Sequence, residues 1–146
     1  MKQIEKILFP IDFASHFDTL IPWVKGFAEK FGAKVYVLFV AQDLSHYSTF
    51  YVPHGNIDTF QQEALDAARK RMAGAAQELA HEFTQMETRV EVGKAADKIL
   101  EVAHKEKIDM IIMGAHGRKG VERAIFGSVA DKVVQGAPCP VMTIHP

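Results

Sequence analysis

The residues best suited to chemistry on an anion lie close together, in the segment Gly114-Ala115-His116-Gly117-Arg118-Lys119-Gly120-Val121-Glu122-Arg123-Ala124-Ile125-Phe126-Gly127-Ser128. Gly114, Gly117 and Gly127 carry no Cβ, so their backbone N–H groups can approach a ligand closely. Gly127-Ser128 opens a stretch with helical periodicity, and the free N–H groups and positive dipole end at a helix start favour phosphate. Ser128 adds a hydroxyl donor, and His116 a ring nitrogen. Arg118, Lys119 and Arg123 against Glu122 give the segment an excess of two positive charges, in a chain whose formal net charge is −1. The same glycines also suit a plain turn, His116 and the cations a solvated surface, and composition alone leaves the readings level.

Other chemistries find less support. Asp12 has the right type for a general base or metal ligand, but no carboxylate or histidine stands at a defined spacing from it. The histidines show no His-x-x-x-His or similar metal spacing. Ser128 lacks the Gly-x-Ser-x-Gly elbow of a hydrolase. Cys139, between Pro138 and Pro140, reads as a packing residue. We therefore assign no catalytic and no metal-ligating residue. There is no Gly-x4-Gly-Lys-Ser/Thr loop, and no Gly-x-Gly-x-x-Gly follows the first strand. Both absences speak against a P-loop motor and a dinucleotide dehydrogenase.

The elements that must hold these residues follow from periodicity. Lys6–Ile11 is an apolar run ending at Asp12 and reads as a strand buried on both faces. Val35–Val40 and Asp109–Met113 read the same way, the latter stopped by Gly114. Glu87–Val92 alternates and suits a half-exposed edge strand, and Val141–Ile144 is a terminal strand. Between them lie four helical patterns. The first presents Leu20, Trp23, Val24, Phe27, Ala28 and Phe31 inward, capped by Ser15 or Asp18 and ended at Gly32. The second keeps Ile57, Phe60, Ala64, Ala68, Met72, Ala75, Leu79 and Phe83 on one face over about 40 Å. The third is striped by Ala96, Ile99, Leu100 and Ala103. The fourth, Ser128–Gln135, turns Val129, Val133 and Val134 inward. Residues 41–56 form a loop.

Strands alternating with helices imply parallel pairing with right-handed crossovers. The expected fold is α/β: an open parallel five-stranded sheet with helices on both faces, in the Rossmann-like order 3-2-1-4-5. A length of 146 residues suits one domain, 1–146. In such sheets ligands bind beyond the carboxyl ends of the strands where the order reverses. That point lies between the first and fourth strands, at Asp12 and Gly114, so topology and composition select one place.

The spacing Gly-x2-Gly-x9-Gly-Ser, with Met113-Gly114-Ala115-His116-Gly117-Arg118 and Ala137-Pro138-Cys139-Pro140-Val141, resembles the universal stress protein family, in its ATP-binding branch. Ile7-Leu8-Phe9-Pro10-Ile11-Asp12-Phe13 is similar to that family's first strand, and the resemblance runs through the whole chain. It implies a site for ATP, or AMP or ADP, with Mg²⁺. Asp12 would face the nucleoside, with Pro10 and Ile11 before it also among the nucleotide-binding residues, Val40 the adenine, and Met113 and Gly114 the base and ribose. Gly117, Gly127, Ser128 and Val129 would hold phosphates, with His116 and Arg118 beside them. Three positions depart from the family. Ala14 stands where Ser is usual and Ala115 where Ser or Thr is common, which removes one hydroxyl contact. Phe126 replaces a smaller aliphatic residue.

The resemblance implies a small regulatory or stress-response module. The competing readings are a slow ATPase or phosphotransferase, and an interaction protein that does not use nucleotide. An apolar last strand at a sheet edge leaves backbone groups unpaired, and both this and the resemblance lead us to expect a homodimer through Val141–Ile144. Near-neutral charge gives no reason to bind nucleic acid or an anionic membrane. The single cysteine and the lack of a signal-peptide pattern lead us to expect the cytoplasm.

Overall fold

The computed structural model describes residues 2–45, 57–116 and 127–145. Five strands form one parallel sheet: β1 (Lys6–Pro10), β2 (Lys34–Ala41), β3 (Met86–Val92), β4 (Met110–Gly114) and β5 (Val141–Ile144), ordered β3-β2-β1-β4-β5. The helices are α1 (Ile21–Phe31), α2 (Ile57–Leu79), α3 (Ala95–Lys105) and α4 (Ser128–Gly136), with a 3-10 turn at Phe17–Leu20 before α1. This is the expected doubly wound fold, with β3 and β5 at the edges.

Alternation along the central strands explains why they are apolar throughout. Ile7 and Phe9 of β1, and Val35 and Val37 of β2, point into one core with Val24 and Ala28 of α1 and Met72 and Leu79 of α2. Leu8, Tyr36 and Leu38 point the other way, against Ala96, Ile99 and Ala103 of α3 and Ala130 and Val133 of α4. A strand covered on both faces has no polar side to show. By contrast every residue of β3 is partly exposed, as its alternating sequence leads one to expect.

Local signals set the boundaries. Gly32 adopts φ 65°, and its N–H bonds to the Ala28 carbonyl. That left-handed conformation costs glycine nothing and ends α1. At the amino ends of β1 and β4, the Asp109 carboxylate accepts the N–H groups of Glu5 (2.9 Å) and Lys6 (3.0 Å). It thereby fixes the β1–β4 pairing, Ile7 opposite Met110, on which the position of the crevice depends.

Several details differ from the periodic reading. Neither Ser15 nor Asp18 caps α1. Its N-cap is Leu20, and Ser15 instead donates its Oγ–H to the Asp12 carbonyl at 2.9 Å. The 3-10 turn consumes the residues where a side-chain cap was expected. Trp23, Phe60 and Val134 are 53%, 55% and 45% exposed rather than inward. α2 stops at Leu79, giving about 34 Å from its 23 residues. Phe83 is buried from the following turn, edge-on to Phe9 with ring centroids 6.4 Å apart.

Candidate functional site

The carboxyl ends of β1 and β4 and the start of α4 enclose a cavity of about 520 Å³. Each of its walls comes from a different element. β1 and the turn after it supply Pro10, Ile11 and Asp12, β2 supplies Val40, β4 supplies Met113 and Gly114, and α4 supplies Ser128 and Val129. His116 and Gly127 complete the set. The structure thus brings together ten of the twelve residues singled out from the sequence. The other two, Gly117 and Arg118, lie outside the described residues.

The start of α4 explains what this cavity can hold. Gly127 is the N-cap, and no side chain caps the helix. The first bond within the helix runs from the Asp131 N–H to the Gly127 carbonyl, 3.0 Å. The N–H groups of Ser128, Val129 and Ala130 therefore precede the helical ladder and have no acceptor within it. All three residues line the cavity. Gly127 is itself held in place, donating its N–H to the Ala115 carbonyl at 2.8 Å. That bond returns the chain to the exit of β4 and fixes where the helix begins. Three N–H donors without helical acceptors at the positive end of a helix dipole have the chemistry that suits an anion.

Asp12 sits opposite. Its Oδ1 accepts the Ala14 N–H at 2.9 Å, and its carbonyl accepts the Ser15 N–H at 3.0 Å. This tight turn fixes the carboxylate in orientation and leaves Oδ2 without a partner among the described residues. Phe13 packs the turn against the sheet, its ring centroid 4.7 Å from that of Phe39, and the Arg71 guanidinium of α2 lies over the Phe13 ring, 4.6 Å from its centroid. Gln61, also on α2, steadies the exit of β2. Its amide oxygen accepts the Leu44 N–H at 2.6 Å, and its amide nitrogen donates to the Gln42 carbonyl at 3.1 Å.

Sequence reasoning missed part of the wall: Phe39 and Gln42 around the end of β2, Ala95 and Ile99 of α3, Phe17 and Leu20 of the 3-10 turn, and Ser15, Leu38 and Ala130. The switch-point rule selects the ends of β1 and β4 and is silent about the elements flanking them. The short step from Val92 to Ala95 was the available signal, because it places the start of α3 beside the carboxyl end of the sheet.

The lining is chemically divided. Ile11, Val40, Met113 and Ile99 are apolar, while Asp12 and the start of α4 offer one negative charge and a group of donors. Among the described residues no cluster of three or more His, Cys, Asp or Glu residues is placed to hold a metal ion. A Mg²⁺ accompanying a polyphosphate fits this arrangement only if phosphate and water supply most of its ligands.

Fold and cavity together define an open, doubly wound α/β protein with a largely apolar slot leading to a helix start that no side chain caps. The sequence model of the universal stress protein family matches residues 3–145, and the chain belongs to that family. It is 30% identical to universal stress protein A homolog 2 of Coxiella burnetii, over 99% of this chain and 97% of that protein. The solved structure of MJ0577 of Methanocaldococcus jannaschii is similar with a TM-score of 0.83 at 25% identity, covering 99% of this chain and 98% of that one. A universal stress protein from Archaeoglobus fulgidus, solved in complex with dAMP, shares the fold with a TM-score of 0.68 at 22% identity, covering 98% and 99% of the two chains.

Proposed function

We propose that this protein binds an adenine nucleotide, ATP in particular, in the cavity at the β1–β4 switch point, and acts as a regulatory or stress-response module. The observation that carries this reading is the uncapped start of α4, whose three N–H groups without helical acceptors line an otherwise largely apolar slot. The base occupies the apolar end between Val40 and Met113. The ribose lies near the Asp12 carboxylate, which accepts hydrogen bonds from its hydroxyls. Phosphates meet the N–H groups of Ser128, Val129 and Ala130, with the Ser128 hydroxyl in support, and Mg²⁺ travels with them. A structural neighbour from Archaeoglobus fulgidus solved in complex with dAMP supports the class of ligand, an adenine nucleotide.

Binding rather than turnover is favoured by the chemistry of the lining. Phosphoryl transfer needs a positioned nucleophile and well-held metal ions, and Asp12 is the only carboxylate among the described residues lining the cavity. The same reading includes a cytoplasmic homodimer. β5 lies at the sheet edge and pairs only with β4 among the described residues, so a second copy of β5 would satisfy its outer backbone groups.

The test is a melting curve with and without ATP·Mg, followed by a phosphate-release assay on the same sample. Ligand at 100 times its dissociation constant adds about 2.7 kcal/mol, roughly a 5–10 °C rise for a chain of this size. A rise with little phosphate released supports the module. Multiple turnovers would favour an ATPase, and no rise with any adenine nucleotide would favour an interaction protein.

A further inference from the structure

His116, which lines the cavity, meets His145, and no part of the nucleotide reading uses their contact. Nδ1 of His145 lies 3.3 Å from Nε2 of His116, and the ring centroids are 5.2 Å apart at 58°. For a hydrogen bond between two imidazoles this is long, beyond the 2.7–3.2 Å or so usual for an N–H donor. It does match the separation set by a shared metal ion. Two nitrogens bound at about 2.0–2.1 Å to one tetrahedral centre stand about 3.3–3.4 Å apart.

The backbone holds the two rings in this relation. β4 and β5 pair in parallel with Gly114 opposite Ile144, and the Ala115 N–H donates to the Ile144 carbonyl at 2.9 Å. His116 and His145 each follow one of these anchored residues, so the sheet register itself sets their approach. The other nitrogen of His116, Nδ1, is buried without a hydrogen-bond partner among the described residues. With Nδ1 buried, Nε2, the nitrogen that faces His145, is the one placed for coordination.

We propose that His116 and His145 form a two-imidazole site for a borderline divalent transition-metal ion of the zinc class. Imidazole nitrogen suits Zn²⁺, Ni²⁺, Cu²⁺ and Co²⁺ and does not suit Mg²⁺. No third His, Cys, Asp or Glu completes the set among the described residues. The ion keeps open positions filled by water, which makes the site exchangeable rather than structural. Because His116 also lines the cavity, an open position lies beside it and can accept a phosphate oxygen. That last link rests on the nucleotide reading; the metal site does not.

The experiment uses the full chain stripped of metal. Co²⁺ is titrated in without nucleotide and followed by its visible absorption, which is intense for tetrahedral geometry, and Zn²⁺ is titrated by calorimetry. The expected result is one ion per chain. His145→Ala and His116→Gln each weaken binding at least tenfold with the metal-free melting temperature unchanged, while His81→Ala and His104→Ala bind as wild type. No uptake by the wild type, or unaltered uptake by His145→Ala, overturns the site whatever ATP does. In a second arm ATP is added to the zinc-loaded chain, and its affinity rises at least threefold over the metal-free chain, a gain lost in His145→Ala. An ATP affinity that zinc leaves unchanged overturns the proposed phosphate link. If ATP fails to bind at all, the nucleotide reading falls while the cobalt titration still decides the metal site.

Discussion

Ser128→Pro is the substitution that isolates the backbone contribution to phosphate binding. Ser128 is the first residue of α4, and its N–H lies outside the helical ladder. Proline is well tolerated at that position because the N–H it removes has no partner in the helix. The preceding residue, Gly127, already has φ −62° and ψ 159°, the extended conformation that a following proline favours. The fold should therefore persist, with a melting temperature equal to or slightly above wild type. Beyond the hydroxyl, which Ser128→Ala also removes, what is lost is one backbone donor to an anion, worth about 1.5–3 kcal/mol, or roughly a tenfold to 150-fold weaker ATP affinity than that of Ser128→Ala. Ser128→Ala removes the hydroxyl alone and should cost only a few-fold. Calorimetric titration of both variants with ATP, and with adenosine as the ligand lacking phosphate, separates the contributions. Adenosine binding should be unchanged in both. If the proline variant binds ATP within about twofold of wild type, or loses ATP and adenosine alike, the phosphates are not held by these amides.

Three further outcomes test the rest of the account. Asp109→Ala leaves the N–H groups of Glu5 and Lys6 without their acceptor; urea unfolding should show a loss of about 1–3 kcal/mol, with ATP affinity unchanged because Asp109 lies at the opposite end of the sheet. Gly93→Ala places a side chain at φ 151°, where its Cβ would come within 2.9 Å of Lys98 Cε, and should lower stability by about 1–3 kcal/mol. The third concerns acid. Burial pushes the Glu87 carboxyl up, but the hydrogen bond and charge of Arg89, with help from Lys34, outweigh this and hold it below its ordinary value. A carboxyl lowered in the folded state stabilises fully above its unfolded pKa of about 4.3, and that stabilisation fades as pH falls through the folded value. Glu87→Gln should therefore be less stable than wild type near pH 7, with the gap closing below about pH 4.

The sequence was most readable where one residue type admits one local solution. Gly32 at a helix end, the unbroken apolar runs of β1, β2 and β4, and Gly127-Ser128 at the start of α4 each stand where their chemistry requires. Strand order and switch point then followed from the alternation of strands and helices. Less readable were the limits of burial. Trp23, Phe60 and Val134 satisfy helical spacing yet lie at the rim, because periodicity gives a direction around the helix and not how far the neighbouring element extends. The cap of α1 was hidden for a related reason: the Asp12 turn takes Ser15 for its own hydrogen bonds. Within the site, contributors adjacent in sequence to Gly114 and Asp12 were visible. Ala95, Ile99 and Phe39 were not: α3 reaches the cavity only through its packing on the sheet, and Phe39, on the opposite face of β2, through its contact with Phe13 of the Asp12 turn. The His116–His145 contact was equally hidden. It joins residues 29 apart that meet only because β4 and β5 pair in one register.

The most direct measurement is an amide ¹H–¹⁵N spectrum of the labelled protein titrated with adenosine, AMP and ATP. The amides of Ser128, Val129 and Ala130 should move strongly downfield with ATP and little with adenosine, while Val40 and Met113 respond to all three. If the three amides at the start of α4 stay in place when ATP saturates the protein, phosphate is not bound there and the account is wrong.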